Sequence, residues 1–208
     1  MSTPLRVLIL AFDEVEALDF AGPFEVFTTA SRVHARQHPG QAPLFDVKSV
    51  AVQGMVKARA GLQLVADHSL ADAPRADVLV VPGGVVAGAM QSIETLSWIA
   101  AQSRAARITA SVCTGAFLLA AADVLQGNAR VTTHWEDIAD LRERFPALEV
   151  VDDVRWVDNG RVVSSAGISA GIDMSLHLVE RLAGRELALR TARQMDFAWT
   201  THLRSPSA

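Results

Sequence analysis

The only cysteine of the chain, Cys113, occupies a position at which a thiol could act as a nucleophile. The apolar segment Ile108–Val112 before it is typical of a buried strand, and residues 117–122 after it favour a helix. A sulfur atom at such a junction faces unpaired N–H groups and the positive end of the helix dipole, so we expect its pKa to lie below the free value of ~8.5. Gly115 lets the backbone turn tightly there. The alternative is that Cys113 is a small buried apolar residue, as most free cysteines are.

Two further groups could act beside this thiol. Asp19 lies within the mostly apolar segment 18–21, where a carboxyl group tends to hold its proton and could donate it. Gly83 and Gly84 follow an apolar segment, and the N–H group of Gly84 together with that of Thr114 would form an oxyanion-type hole beside a nucleophile. The alternatives are a surface acid on a helix and an ordinary turn with two glycines.

The rest of the chain supplies the elements that would position these groups. Strand-like segments at residues 6–12, 45–52, 77–81 and 107–112 alternate with helical segments. This alternation predicts an α/β fold with a mostly parallel sheet and helices on both faces. The candidate residues all follow strands, so they can converge on one pocket at the carboxyl edge of the sheet.

Several local signals refine this picture. Asn159-Gly160 predicts a β-hairpin between residues 149–157 and 161–165. A second, smaller antiparallel pair is expected within residues 55–65. The first helix should be interrupted at Gly22-Pro23, because proline removes a helical hydrogen bond. Three further expectations are a capping box formed by Thr133 and Glu136, a last helix from residue 186 to about 199, and a frayed tail from 201 to 208.

The composition is that of an ordinary globular protein. The 208 residues suit one domain, 50% are hydrophobic and 20% are charged. A net charge of −4 gives no reason to expect nucleic acid or an acidic membrane as a partner. No signal peptide or membrane-spanning segment is recognisable, so we expect a soluble protein.

Metal and disulfide chemistry find little support in the sequence. A single cysteine excludes a disulfide within the chain and a multi-thiolate metal site, and it fits a reducing cytoplasm. The histidines lack ligand spacing, apart from His34 and His38 in a polar segment. We therefore expect neither a metal nor another cofactor.

Five segments in this order resemble the ThiJ/PfpI superfamily, whose members share the fold of class I glutamine amidotransferases. They are LDFAGP at 18–23, VVPGG at 80–84, SVCTG at 111–115, VTTHW at 131–135 and SAGISAGID at 165–173. The resemblance runs from about residue 6 to about residue 199, and it implies a flavodoxin-like three-layer sandwich with added β-hairpins. Within the superfamily the chain is most similar to the isonitrile hydratase branch and to the related N-terminal domain of AraC-type regulators.

The resemblance also implies a role for each matching residue. Cys113 would be the nucleophile, and Asp19 would be the acid that hydrogen-bonds to it, at a position where other members have glutamate. The remaining candidates would line the site: Gly83, Gly84, Thr114 and Gly115 around the sulfur, His134 in the pocket, and Ile168 as an apolar neighbour of the cysteine.

The function that the resemblance implies is hydration of an isonitrile to an N-substituted formamide, through a thioimidate on Cys113. The proteases of the superfamily carry histidine directly after the cysteine, whereas this chain has Thr114, which argues against peptide hydrolysis. Two alternatives stay open. One is glyoxalase-type or deglycase-type chemistry, and the other is a non-enzymatic sensor of small molecules or of oxidants.

The regulator branch normally continues into a helix-turn-helix domain, whereas this sequence ends at residue 208. We therefore expect one domain over residues 1–208 that acts on a small molecule in the cytoplasm, with no nucleic-acid or membrane partner. The resemblance further implies a homodimer.

Overall fold

A sheet of seven strands forms the centre of the structure, a computed structural model that describes residues 3–200. The strands of the described chain are Leu5–Leu10 (β1), Phe45–Ala51 (β2), Met55–Lys57 (β3), Gln63–Val65 (β4), His68–Ser69 (β5), Val78–Val81 (β6), Ile108–Val112 (β7), Arg130–Val131 (β8), Glu149–Val150 (β9), Trp156–Asp158 (β10) and Val162–Ser165 (β11). The central sheet has the order β10-β11-β7-β6-β1-β2-β5. All its neighbouring strands are parallel except β10 and β11, which confirms the predicted mostly parallel sheet.

Helices cover this sheet in two groups. The helices are Ala17–Gln37 (α1), Ala87–Gln91 (α2), Ile93–Ala105 (α3), Gly115–Ala121 (α4), Ile138–Arg144 (α5), Ala170–Ala183 (α6) and Arg185–Gln194 (α7). Helices α1, α6 and α7 pack against one another, and α2, α3 and α4 form a second packed group. Because helices shield the sheet, β6 and β7 are buried along their whole length, which explains the unbroken apolar sequence of β6 and the small or apolar residues of β7.

Two antiparallel pairs bear out the local turn signals. Strands β10 and β11 flank Asn159-Gly160, and β3 pairs with β4. The predicted first strand of the larger hairpin was too long, because residues 149–150 form β9 instead. That strand pairs in parallel with β8 in a separate small sheet.

Helix α1 is continuous, so the predicted interruption at Gly22-Pro23 is wrong. Pro23 lies inside the helix and leaves one carbonyl without its helical donor. The helix continues because α1 packs closely on α6: a Cβ atom on Gly22 would lie 3.0 Å from Cγ1 of Ile172. Burial of the face that carries Val26 and Phe27 outweighs the proline penalty of about 3 kcal/mol.

The end of the chain differs from prediction in length. Helix α7 stops at Gln194, and the following residues bend back so that the indole N–H of Trp199 donates to the carbonyl of Asp173, at 3.1 Å. The predicted tail at 201–208 lies outside the described residues. Within residues 3–200, none of the helices combines the length and the apolar character needed to cross a membrane.

Gly115 allows β7 and α4 to lie close to the end of β6, and this contact yields a prediction on stability. A Cβ atom on residue 115 would overlap the carbonyl oxygen of Val81 and lie 2.9 Å from that of Pro82. We expect Gly115→Ala to lower the free energy of unfolding by about 2–4 kcal/mol, because the new methyl group would push the end of β6 away from the start of α4.

Gly88 provides the matched control, because it lies within helix α2 and a Cβ atom there would meet nothing within 4 Å. Gly88→Ala should leave stability unchanged or raise it by up to about 1 kcal/mol. Urea unfolding followed by tryptophan fluorescence measures both variants. Equal unfolding midpoints would contradict the close-packing explanation.

Candidate active site

Cys113 lies at a sharp turn between β7 and α4, with its backbone in the left-handed region at a φ of 56°. A residue with a side chain rarely adopts this conformation, at a cost of order 1–3 kcal/mol. Hydrogen bonds hold the turn on both sides. The N–H group of Cys113 donates to the carbonyl of Ser165 at 3.1 Å, and its carbonyl accepts from the hydroxyl of Thr133 at 2.9 Å.

Four neighbouring parallel strands bring the predicted site residues together. In the order β11-β7-β6-β1, these strands lead to Ile168, to Cys113, to Gly83 with Gly84, and through a short loop to Asp19. In the sheet, β1 lies between β2 on one side and β6 on the other, and the chain returns from the β2 side to β6 across β1. Such a switch in strand order opens a crevice at the carboxyl edge of a sheet. The predicted convergence is therefore confirmed.

Asp19 is a buried acid whose charge is disfavoured. It lies in the first turn of α1 with no exposed surface, and its Oδ2 accepts the N–H of Gly83 at 3.1 Å. Burial raises the pKa of Asp19 to about 7, although the Gly83 N–H and the Cys113 thiol act in the opposite direction. Oδ1 is also buried, and no hydrogen bond of normal geometry reaches it from residues 3–200. The carboxyl group can therefore hold a proton near neutral pH, as its apolar surroundings predicted.

The thiol of Cys113 behaves differently from the prediction. Burial raises its pKa to about 12, and the negative charge of an ionised Asp19 acts in the same direction. The N–H groups of Thr114 and Ile168 face the sulfur and lower its pKa, but they do not compensate. The prediction of a lowered pKa is wrong because the cysteine is only 6% exposed, and burial outweighs the N–H groups at the start of α4.

Together the two acids form a coupled unit. Because two negative charges side by side in a buried site repel each other, the protons leave in two well-separated steps. Around neutral pH the first step generates a pair with one proton and one negative charge. The minor form of this pair, with the proton on Asp19 and the charge on sulfur, carries both a proton donor and a nucleophile.

The N–H groups of the glycine pair are already engaged. The N–H of Gly84 donates to the hydroxyl oxygen of Thr114 at 2.8 Å, and this hydroxyl donates to the carbonyl of Gly84 at 2.9 Å. The N–H of Gly83 binds Asp19. This differs from the prediction that Gly84 offers a free donor for an oxyanion. The donors that face the sulfur come from Thr114 and Ile168.

The glycines matter in the site mainly because they lack side chains. A Cβ atom on Gly83 would lie 2.6 Å from the nitrogen of Thr114 and 2.9 Å from Oδ2 of Asp19. Gly115 meets the end of β6 in the same way, as described above. Both residues thus let the acid and the thiol approach each other.

His134 lies against the segment that carries Ile168. A Cβ atom on Gly167 would overlap Nδ1 of the imidazole ring, so this glycine makes room for the histidine. Nε2 lies 3.4 Å from a carboxylate oxygen of Glu136, whereas Nδ1 is buried without a hydrogen-bond partner among residues 3–200. His134 thus borders the site through the loop after β11.

The predicted capping box at Thr133 is wrong. A short 3₁₀ helix spans Trp135–Asp137, and the hydroxyl of Thr133 donates to the carbonyl of Cys113 instead of capping it. Sequence reasoning therefore missed Thr133 as a support of the turn. The signal was ambiguous, because a threonine three residues before a glutamate is also the usual capping pattern.

A cavity of about 380 Å³ neighbours the turn. It is lined by Thr133 and Ala166, next to the site, and further out by Trp135 and Arg142. Neither reacting group lines it, so this cavity does not expose the sulfur. The 6% exposure of Cys113 admits only a slender reactive group to the sulfur. Among residues 3–200, no cluster of three or more histidine, cysteine or acidic side chains could hold a metal ion.

Comparisons with known proteins agree with this architecture. The model of the DJ-1/PfpI family matches residues 5–181. An isonitrile hydratase of Pseudomonas putida is 37% identical over 195 residues, which are 93% of this chain and 79% of that protein. The transcriptional regulator GbdR of Pseudomonas aeruginosa is 32% identical over 89% of this chain, but the match spans only 48% of the regulator.

A solved structure gives the fold. The crystal structure of a ThiJ/PfpI family protein from Pseudomonas syringae superimposes with a TM-score of 0.82 at 24% identity, over 99% of this chain and 80% of that one. The flavodoxin-like sandwich expected from the sequence is thereby confirmed.

The raised pKa of Asp19 yields a prediction on pH and stability. A carboxyl group whose pKa rises on folding stabilises the protein below its unfolded pKa, and this stabilisation is lost as pH rises through the folded value of about 7. Asp19→Asn stays neutral at every pH. Between pH 4 and pH 8 we expect the free energy of unfolding of the wild type to fall by about 4 kcal/mol relative to this variant.

Urea unfolding at pH 4, 6 and 8 measures this difference. Glu143→Gln, which removes an exposed carboxylate from α5, is the control and should show no comparable trend. A constant difference between wild type and Asp19→Asn would mean that Asp19 is ionised at all three pH values.

Proposed function

This chain belongs to the DJ-1/PfpI family, and we propose that it is a cysteine-dependent hydratase that converts isonitriles into N-substituted formamides. The observation that carries the proposal is the buried, coupled pair of Cys113 and Asp19, which carries one proton and one charge near neutral pH. The similarity to an isonitrile hydratase over 93% of the chain supports it.

The first half of the reaction uses both members of the pair. The terminal carbon of an isonitrile, R–N≡C, accepts the proton of Asp19 while the Cys113 thiolate bonds to the same carbon. The product is a neutral thioimidate, R–N=CH–S–Cys113, and Asp19 is left as a carboxylate.

The second half returns the pair to its starting state. Asp19 aids the attack of water on the thioimidate carbon, so that the carbon gains a hydroxyl group and the nitrogen gains a proton. The resulting adduct, R–NH–CH(OH)–S–Cys113, expels the thiolate as its hydroxyl proton passes to Asp19. The released product is R–NH–CHO, and one water has been consumed.

The backbone donors around the sulfur stabilise the thiolate at the two points of the cycle where the sulfur carries the negative charge. The N–H groups of Thr114 and Ile168 favour the thiolate, both before attack and when it leaves. Their fixed positions mean that little reorganisation is needed at either step.

Access to the sulfur favours a slender substrate. The isonitrile group is linear and ends in a single carbon atom, so it can enter an opening that leaves Cys113 only 6% exposed. Three half-exposed apolar side chains lie at or beside the site. They are Leu18, which precedes Asp19, Val85, which follows Gly84, and Ile168 itself. They suit the alkyl or aryl group of a neutral substrate.

Peptide hydrolysis fits this site poorly. The hydroxyl of Thr114 is engaged with Gly84, and residue 114 therefore offers no base to the sulfur. A peptide carbonyl with its flanking chain is also much wider than an isonitrile group.

A sensor of small molecules or oxidants is the second candidate. It is favoured by the 32% identity to a transcriptional regulator, of which this chain spans about half the length. Glyoxalase-type or deglycase-type chemistry is the remaining alternative within the family. In each case we propose a small molecule as the partner and the cytoplasm as the location, and homodimerisation stays a prediction.

Replacement of the cysteine tests the proposal directly. We expect Cys113→Ala to abolish formamide production from a simple alkyl isonitrile, because no thioimidate can form. Ser111→Ala is the matched control: it removes a buried hydroxyl from the same strand and should leave turnover within about twofold. Chromatography measures the formamide, and its formation by Cys113→Ala would refute the mechanism.

The alternatives are separated in the same series. Wild-type protein that makes no formamide but consumes methylglyoxal would be a glyoxalase. Protein that turns over neither compound but gains two oxygen atoms at Cys113 under mild peroxide, as seen by mass spectrometry, would act as a redox sensor.

The pH dependence of turnover tests the role of the coupled pair. The reactive one-proton state forms as Asp19 or the thiol loses the first proton, so kcat/KM should rise about tenfold per pH unit below pH 7 and level off above it. In Asp19→Asn the charge must come from the thiol alone, whose pKa is raised by burial. The rise should therefore move to alkaline pH, with much lower activity at pH 7. A flat wild-type profile from pH 5 to pH 9 would exclude the pair as the active unit.

A further inference from the structure

Arg155 and Asp173 form a buried ion pair next to the site that has no part in the reaction proposed above. The side chain of Asp173 is fully buried and that of Arg155 is 14% exposed. Nε of Arg155 donates to Oδ2 of Asp173 at 2.8 Å, and one terminal nitrogen of the guanidinium group donates to the same oxygen. Such a pair stabilises a fold little better than apolar side chains would, so its position invites another explanation.

Arg155 binds the loop between β11 and α6 at both ends. Its main-chain carbonyl accepts the N–H of Ala166 at 2.9 Å, and its guanidinium group donates to the hydroxyl of Ser169 at 3.3 Å. Between these two contacts lies Ile168, whose N–H faces the sulfur of Cys113. The same arginine thus clamps the short segment that presents a donor to the reacting atom.

Ile168 needs such a clamp because its backbone is strained. Its φ of 50° lies in the left-handed region, which is a rare conformation for a β-branched residue. Strain of this kind persists only where the surroundings fix it. If the loop relaxed, the N–H group would turn away from the sulfur.

Asp173 fixes the guanidinium group in turn. Its Oδ1 accepts the main-chain N–H of Thr200 at 2.7 Å, while Oδ2 binds Arg155. The carbonyl of Asp173 accepts the indole N–H of Trp199. With both carboxylate oxygens engaged, the aspartate cannot swing, and the fork of Arg155 is held in one orientation.

We propose that Arg155 is a positioning residue: held by Asp173, it sets the loop from Ala166 to Ser169 so that the N–H of Ile168 donates to the sulfur of Cys113. The loop starts directly beside the cysteine, because the N–H of Cys113 donates to the carbonyl of Ser165 at 3.1 Å. The effect on the thiol rests on these contacts, whereas the effect on turnover rests on the proposed function. Loss of the clamp weakens a hydrogen bond to the thiolate, so it lowers the share of thiolate in the one-proton pair and with it the reactivity of Cys113.

A second ion pair provides a matched control. Arg181, near the other end of α6, donates to both carboxylate oxygens of Asp158 in β10, at 3.0 and 3.1 Å. Both ion pairs thus join α6 to the segment 155–158 that contains β10. Arg181→Lys is the counterpart of Arg155→Lys, and both changes keep the charge but lose the planar fork.

The test compares Arg155→Lys, Ser169→Ala and Arg181→Lys with the wild type. The first readout is the rate of alkylation by iodoacetamide from pH 6 to pH 10, which reports on Cys113 alone because it is the only cysteine. The second is kcat and KM for an alkyl isonitrile. Arg155→Lys should alkylate about tenfold more slowly at pH 7, because the thiolate makes up a smaller share of the one-proton pair, and kcat should fall while KM changes little.

Ser169→Ala removes only the contact to the end of the loop, so it should shift alkylation in the same direction by a smaller factor. It also decides the matter if Arg155→Lys does not fold. Arg181→Lys should match the wild type in both readouts. Alkylation rates of the Arg155 and Ser169 variants equal to that of Arg181→Lys would overturn the proposal. If wild type shows no isonitrile turnover, the proposed function fails, and the alkylation series alone still confirms or refutes the positioning role.

Discussion

Two buried acids that cannot both carry a charge determine the organisation of this site. Asp19 has no exposed surface and Cys113 almost none, so solvent cannot screen a second negative charge. The pair therefore holds one proton over a wide range of pH, from the first ionisation near 7 to a second near 12. Burial, which makes the isolated thiol a poor nucleophile, is thus also what keeps a proton donor beside it.

The fold brings the two acids together through close backbone packing. Asp19 belongs to α1 and Cys113 to the turn after β7, and the end of β6 lies between them in the sheet. Gly83 and Gly115 lack the side chains that would separate these segments. The hydroxyl of Thr114 satisfies the polar groups of Gly84, so the junction contains few unpaired backbone groups. A parallel sheet with small residues at its carboxyl edge therefore creates the dry environment on which the shared proton depends.

The sequence predicts the scaffold well because its signals are local. Apolar segments of strand length alternate with helical ones, Asn159-Gly160 marks a hairpin, and Cys113 lies where a strand passes into a helix. Because the candidate residues follow strands of a parallel sheet, the sequence also predicts that they meet at one edge. The apolar neighbours of Asp19 indicate that it could be buried, but a surface acid on a helix stays an open alternative until the structure is known.

The electrostatic details depend on tertiary contacts that no local pattern contains. The pKa of Cys113 rises because residues from distant segments exclude water, whereas the sequence indicates only the helix end. Thr133 and Gly84 have hydrogen-bond partners 20 and 30 residues away, and these partners replace the capping box and the free oxyanion donor that were expected. Pro23 stays inside α1 because α6 packs on it, which a helix-breaking rule cannot anticipate. Arg155 and Asp173 are 18 residues apart, and Arg155 lies outside all five segments that carry the family resemblance.

The same charge limit favours one chemistry over its alternatives. In isonitrile hydration a proton and a thiolate add to the same carbon, so the covalent intermediate is neutral. The single negative charge of the site moves from the sulfur to Asp19. Attack of the thiolate on an aldehyde carbonyl instead builds negative charge on an oxygen atom, so Asp19 would have to protonate that oxygen and not the attacked carbon unless other donors are free. The N–H groups of Gly83 and Gly84 are occupied by Asp19 and Thr114, and the remaining donors already face the sulfur. The site tolerates a single negative charge and offers no separate oxyanion hole. It therefore favours a substrate whose attack by the thiolate places no negative charge on an oxygen atom.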